Sequence, residues 1–156
     1  MAMNNYSRGT AAPAKGAPRS SGYSAASLPA GYLSNGYKDK NGNFDIKYIT
    51  SIASEVAKQF GYDNVAKSKV RDYYNSLCTI LDGLRFNSIN MKQANRELSK
   101  MKPRVTNRGN KGTTPKVFVD FINKNVDLIL NIPDDEKLQA MVDFKDHFES
   151  VVGYMR

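Results

Sequence analysis

The chain has 156 residues, 40% of them hydrophobic, and its 23 basic and 15 acidic residues give a net charge of +8. This length fits one ordinary domain, and the positive charge makes polyanions its natural partners. One cysteine, Cys78, and one histidine, His147, exclude an internal disulfide and a Cys/His metal cluster, which fits a reducing cytosol.

Residues 1–36 differ in composition from the rest of the chain. They are rich in Gly, Ser, Ala and Pro, contain no acidic residue and carry the cations Arg8, Lys15 and Arg19. Because such a segment has few large apolar side chains to offset the entropy of ordering, we predict a flexible basic tail. The tail is either a solubilising extension or a source of loose contacts to a nucleic acid.

Two amphipathic helices are predicted after the tail. The apolar residues of 45–60 recur three and four positions apart, and we expect Gly61 to end this helix. After a polar turn, the apolar residues of 65–82 repeat the same period.

A third helix is predicted over 88–101, with Ser88 as its cap and a weaker apolar stripe. Residues 104–112 either continue this helix beyond Pro103 or form a basic loop. The pattern leaves both alternatives open.

The C-terminal part predicts two more helices. A Thr-Pro start and a regular apolar stripe indicate a helix over 115–131. Pro133 interrupts the chain, and a last helix with three acids in its first turn is expected to run to about residue 154. No segment alternates with a period of two, so residues 37–156 are predicted to form a compact all-α bundle of about five helices.

The charge is distributed unevenly along the chain. Residues 63–116 hold twelve basic and four acidic residues, whereas residues 117–156 hold four basic and eight acidic ones. The stretch 99–116, SKMKPRVTNRGNKGTTPK, contains six basic residues and no acidic one. This asymmetry predicts a basic face, which is either merely solvated or compensated by nucleic-acid phosphates.

The sequence contains none of the common catalytic motifs. It has no Walker-type phosphate loop, dinucleotide fingerprint or nucleophile elbow, so we expect no enzyme, no cofactor and no metal site. His147 is interpreted as a partly buried or surface histidine, and the acids of 134–136 as helix-capping residues. No apolar run approaches the roughly 20 residues that cross a bilayer, so we expect a cytoplasmic protein without a membrane partner.

Three motifs occur in an order typical of one protein family. They are KVRDYYNSL on the second predicted helix, LSKMKPRV after the third, and FKDHFESVVGYMR at the end. In this order the chain resembles the small subunit of the type III-A CRISPR effector, the Csm complex. The resemblance covers roughly residues 37–156.

The resemblance implies a non-catalytic helical protein that acts in antiviral defence. Members of this family are stacked, in more than one copy and beside other Csm subunits, along a guide RNA and its target RNA. Contacts are expected to be made to the RNA backbone, while base pairing reads the sequence. The stretch VTNRGNK departs from the family pattern, because Lys111 stands where an arginine is usual and Arg108 and Gly109 replace small residues.

The candidate RNA-binding residues come from two sources. Position matches to the family give Lys67, Lys69, Arg71, Lys100, Lys102, Arg104 and Lys111, and Arg108 is added from its charge alone. The alternative reading is a self-standing helical nucleic-acid-binding protein that uses the same face outside any CRISPR complex. A third hypothesis is an adaptor whose acidic C-terminal helices dock on the basic faces of neighbouring copies.

Overall fold

A computed structural model describes residues 26–156 and confirms the predicted all-α class. The five α-helices of this part of the chain are α1 (Ser51–Tyr62), α2 (Lys67–Arg85), α3 (Met91–Asn110), α4 (Lys116–Leu130) and α5 (Asp134–Tyr154). Extended structure in the same range is limited to one short segment, Ser34–Tyr37, and a single bridge between Lys38 and Phe44. None of the described helices is both long and apolar enough to cross a membrane.

Helices α2, α3 and α4 form an antiparallel series, because contacts between them join early residues of one helix to late residues of the next. Helix α5 packs against α1, α2 and α4. Their core is strongly aromatic. The Phe121 ring lies 5.3 Å from Phe60 and 5.1 Å from Phe148 between centroids, both in edge-to-face arrangements. Such pairs contribute roughly 0.5–1.5 kcal/mol each beyond their buried area. The rings therefore fasten α1, α4 and α5 to one another.

The first predicted helix is divided in two. A 3₁₀ turn, Ile46–Ile49, is capped by the Asp45 side chain, which accepts a hydrogen bond from the Lys47 backbone N–H, and α1 begins only at Ser51. At its other end α1 includes Gly61, which was expected to end it, and finishes at Tyr62. The reversal is made instead by Asn64, whose φ of 55° lies in the left-handed region that asparagine tolerates.

Helix α3 passes through Pro103 and continues to Asn110, which decides the alternative that the sequence left open. Proline removes one backbone hydrogen bond, so the helix needs support on both sides of it. Met101 and Val105 supply this support, because both are buried and Pro103 itself faces solvent. The helix starts later than expected, at an Asn90 capping box with Gln93 rather than at Ser88.

The contact between α3 and α4 is close at Gly109. A Cβ atom at this position would lie 2.8 Å from Cγ2 of Val119, nearer than side chains normally approach. The absence of a side chain at Gly109 therefore allows this close contact, and the basic end of α3 packs against the start of α4.

Residues 26–36 belong to the folded part, although their composition predicts a flexible tail. Tyr32 is buried, and its ring lies 6.0 Å from that of Tyr48. The composition of residues 26–36 hides this role because Tyr32 is the one buried residue in that range. The rest of the predicted tail lies outside the described residues.

A chain of buried hydrogen bonds holds this segment to the bundle. The Tyr37 hydroxyl donates to Asn125 Oδ1 at 2.6 Å, and Asn125 Nδ2 donates to the Tyr32 hydroxyl oxygen at 3.0 Å. The Tyr32 hydroxyl in turn lies 2.6 Å from His147 Nε2, and His147 Nδ1 lies 2.6 Å from the Tyr48 carbonyl. Because a carbonyl can only accept, Nδ1 carries the proton of the neutral ring and Nε2 accepts from Tyr32. His147 is fully buried, which differs from the partly buried or surface position expected from the sequence.

We expect stability to fall in mild acid because of His147. Burial lowers the pKa of His147 from its usual 6.5 to about 4, although the bond to the Tyr48 carbonyl opposes this shift. The unfolded chain therefore takes up this proton near pH 6.5 and the folded chain only near pH 4. The stability contributed by the neutral ring is fully present above pH 6.5 and is lost as the pH falls towards 4. The total loss in the free energy of unfolding is at most about 3 kcal/mol.

Urea unfolding at pH 7 and pH 5 tests this expectation. His147→Gln removes the titrating ring and should flatten the dependence between these two pH values. Tyr32→Phe keeps the histidine and should retain the loss in acid, while lowering stability at pH 7 by roughly 1–3 kcal/mol, because it removes two hydrogen bonds and leaves His147 Nε2 unpaired. An equal acid-dependent loss in wild type and His147→Gln would contradict the assignment to His147.

Candidate nucleic-acid interface

The cations of α3 lie on two flanks of the helix. Lys100, Arg104 and Arg108 follow one another at intervals of four residues and therefore share one flank, about 6 Å apart along the axis. This flank faces α2, since Arg104 Nη2 donates to Ser76 Oγ at 3.2 Å. We call the row Lys100, Arg104 and Arg108, with Lys69 of α2 beside its end, the α2–α3 seam.

A buried tyrosine supports two of the seam cations. The Arg104 guanidinium carbon lies 4.3 Å from the centre of the Tyr73 ring, and that of Arg108 lies 5.7 Å from it. Tyr73 itself is fully buried and packs edge-to-face on Phe118. A ring face attracts a cation by roughly 0.5–2 kcal/mol. Tyr73 therefore restricts both guanidiniums to the surface above it.

A shallow groove of about 470 Å³ opens at the Lys100 end of the seam. Hydroxyl groups of Ser76, Thr79 and Ser88 line it together with Lys100 and Arg104. Glu97 is the acid at this groove, and its carboxylate lies 3.1 Å from Lys100 Nζ. The two charges are both well exposed, so their attraction is weak and Lys100 remains accessible to an anion.

Lys69 serves the fold as well as the seam. Its Nζ donates to the Thr113 carbonyl at 2.5 Å and to Thr114 Oγ1 at 3.2 Å, in the loop between α3 and α4. Lys111 follows the end of α3 as its capping residue and is exposed. Lys69 is thus largely committed to the loop, and Lys111 is free to extend the seam.

The remaining predicted residues do not face the seam. Lys67 lies on the α5 side of α2, where its Nζ donates to the Met155 carbonyl at 3.4 Å, and Arg71 follows one turn later and is exposed. Lys102 points to the other flank of α3 and forms an ion pair with Asp127 of α4. The eight predicted cations therefore lie on three sides of α2 and α3 rather than on one face.

The acids of α5 behave as helix-terminal residues. Asp134, Asp135 and Glu136 occupy the first turn, where the helix dipole favours negative charge. The pKa of Asp134 is held below its usual value by hydrogen bonds from Lys137 and Asn95. This acidic end therefore lies beside the first turns of α3, where Asn95 donates to Asp134, whereas the seam follows the later turns of the same helix.

Sequence reasoning missed the role of Tyr73. Its position on the apolar stripe of α2 predicted core packing, which is correct, but gave no sign of the arginines above it. Arg104 and Arg108 are one turn apart on another helix, so only the antiparallel pairing of α2 and α3 reveals the contact. A buried aromatic facing two arginines at a spacing of four is the signal to look for.

The fold and the seam together define a small all-helical protein whose cations are concentrated along α2 and α3. The sequence profile of the family described as Csm2 Type III-A matches residues 43–156. The chain therefore belongs to this family and is a small subunit of a type III-A CRISPR Csm complex. Comparisons with curated proteins and with solved structures gave no significant match.

The division between structural and free cations predicts unequal effects on stability. Lys69→Ala removes the two hydrogen bonds to the 113–114 loop and should lower the free energy of unfolding by roughly 1–3 kcal/mol. Arg71→Ala, on the same helix but exposed, should change it by less than about 0.5 kcal/mol. Urea denaturation of both variants measures the difference. Equal values for the two would show that Lys69 has no structural role.

Proposed function

We propose that this subunit lines the path of the guide RNA and the target RNA and holds them through backbone contacts that are independent of sequence. The observation that carries the proposal is the seam, in which Arg104 and Arg108 lie on the Tyr73 ring and Lys100 continues the row. Guanidinium groups match phosphate oxygens and are weakly hydrated, so they bind a nucleic-acid backbone well.

Preorganisation supports this role. A long arginine side chain loses rotamer freedom when it binds a phosphate, and that loss weakens binding. Arg104 is already restricted by the Tyr73 ring and by its bond to Ser76, so less freedom remains to be lost. The Ser76, Thr79 and Ser88 hydroxyls beside the row donate their protons to backbone carbonyls, so their oxygens can accept from a ribose hydroxyl group.

The other predicted cations extend the path in this proposal. Lys111 follows Arg108 and prolongs the seam, while Lys67 and Arg71 offer charge on the neighbouring side of α2. Lys69 contributes mainly by fixing the loop, and Lys102, paired with Asp127, is the least available of the eight. No catalytic step is assigned to the chain, and its proposed location is the cytoplasm.

Charge complementarity favours stacking of copies along the RNA. Residues 63–116 carry an excess of eight positive charges, and residues 117–156 an excess of four negative ones. A head-to-tail contact would place opposite charges together, whereas a contact between like faces would not. A self-standing nucleic-acid-binding protein would use the same seam, but the family match favours assembly with other Csm subunits.

The seam variant Arg104→Gln/Arg108→Gln tests the proposal in the reconstituted effector complex. It removes two charges but keeps the side-chain stems that cover Tyr73. We expect weaker retention of the RNA and a decrease of about two units in the slope of log affinity against log salt concentration, one per lost phosphate contact. Filter binding at several salt concentrations measures both quantities.

The matched control is Lys40→Gln/Lys47→Gln, which removes two exposed charges in the residues before α1, outside the eight predicted cations. It should leave the salt slope nearly unchanged. Equal effects of the two double variants would mean that overall charge, and not the seam, governs binding. An unchanged slope in a correctly assembled seam variant would contradict the proposal.

The cellular context is tested by isolating the protein from its native cells under gentle salt. Short guide RNAs together with larger effector subunits are expected in the isolate. Mixed RNA without fixed protein partners would instead support the self-standing binder.

A further inference from the structure

A second groove lies away from the seam, between the exposed side of α1 and the residues that end α5. Its volume is about 630 Å³, and we call it the terminal groove. Its lining includes Ser54, Lys58, Gly61, Tyr62, Tyr154 and Arg156.

Two exposed tyrosines border the terminal groove. Tyr62 is 63% exposed and Tyr154 is 47% exposed, and they are two of the five large apolar residues exposed in residues 26–156. By contrast, Tyr32, Tyr37, Tyr48 and Tyr73 are buried in the bundle. Aromatic rings left in water beside one groove offer flat faces on which another ring can stack.

The charges around the terminal groove are mainly positive. Lys58 and Arg156 line it, and no acidic side chain is among its lining residues, although Asp63 adjoins it. Lys67 lies at its edge, where its Nζ donates to the Met155 carbonyl. The groove therefore combines cations with aromatic faces.

The floor of the groove is open because of Gly61. A Cβ atom at this position would meet no atom within 4 Å, and the φ of Gly61 is not in the left-handed region. A planar group thus has room between Lys58 and Tyr62. A side chain placed at position 61 should fill this space without disturbing α1.

We propose that the terminal groove binds an unpaired RNA strand, with bases stacked on Tyr62 and Tyr154 and phosphates near Lys58 and Arg156. Proteins that bind single strands combine aromatic stacking faces with a positively charged groove in this way. In a duplex the faces of the bases are already stacked on one another, so this site selects unpaired nucleotides.

The terminal groove is distinct from the seam. Lys67 faces the groove on the α5 side of α2, and Lys69 faces the 113–114 loop beside the seam. The inference goes beyond the proposed function, which concerns paired guide and target RNA. It does not require the seam to bind RNA, so the two proposals can fail independently.

The test uses the full chain and a fluorescent oligouridine, which forms no stable structure, titrated to high micromolar concentrations. We expect Tyr62→Ala/Tyr154→Ala to bind roughly 10- to 100-fold more weakly, given the usual strength of base–aromatic stacking. Tyr62→Phe/Tyr154→Phe keeps both rings and should bind like the wild type. A ribose-phosphate oligomer without bases should bind the wild type as weakly as oligouridine binds the alanine variant.

Variants at Gly61 test the same site without removing a ring. Gly61→Gln fills the floor and should weaken binding, and Gly61→Glu should weaken it further by repelling phosphates. Gly61→Ala is the control, because a methyl group leaves most of the groove open and favours the helix. Ultraviolet crosslinking of oligouridine, followed by mass spectrometry, should mark the peptides that contain Tyr62 and Tyr154.

The outcomes separate the two proposals. Failure of the wild-type chain to bind oligouridine, or unchanged affinity in Tyr62→Ala/Tyr154→Ala, would overturn the terminal groove and leave the seam unaffected. The alanine variant could also keep its oligouridine binding but lose a protein subunit from the reconstituted complex. This result would assign the groove to a protein partner and would also overturn the inference. Normal oligouridine binding, together with an unchanged salt slope in Arg104→Gln/Arg108→Gln, would contradict only the proposed function.

Discussion

The burial of one stripe of α3 is the constraint on which the basic seam depends. Leu98, Met101 and Val105 are packed inside the bundle on both sides of Pro103, so the helix continues through a residue that would otherwise favour a break. Continuity keeps Lys100 and Arg104 in helical register, and the close approach at Gly109 fixes the last turn against α4. The order of the exposed cations is thus a consequence of apolar packing on the opposite side of the helix.

The bundle also has a buried polar constraint. The hydrogen-bonded chain from Tyr37 through Asn125 and Tyr32 to His147 joins the residues before α1 to α4 and α5. Each of its groups donates or accepts with consistent polarity, which is required because an unpaired buried polar group costs roughly 1–3 kcal/mol. The network therefore gives the N-terminal part of the described chain a unique position, which apolar contacts alone would specify less well.

Some cations of this protein stabilise the fold, and others remain exposed to solvent. Lys69 binds backbone and hydroxyl oxygens of a loop, and Lys102 pairs with Asp127, whereas Arg104 lies on a ring with its polar edge towards solvent. Only the last arrangement both restrains a cation and leaves most of its hydrogen-bond donors free, since Arg104 uses one of its N–H groups for Ser76 Oγ. Counting positive charge by segment identifies the right helices, but it does not distinguish these three situations.

The sequence by itself determined the all-α class, five helices with mostly correct limits, the basic middle and the family motifs, because helical periodicity and charge are local properties of the chain. Only the tertiary structure decided the continuation of α3 beyond Pro103, the burial of Tyr32 and His147, and the separation of Lys102 from Arg104. Each of these depends on residues distant in sequence: Val105 packs in the common core, Tyr32 meets His147 from the other end of the chain, and Lys102 finds Asp127 on another helix. Local patterns carry no information about such partners, so the arrangement of the site emerges only when the helices are packed together.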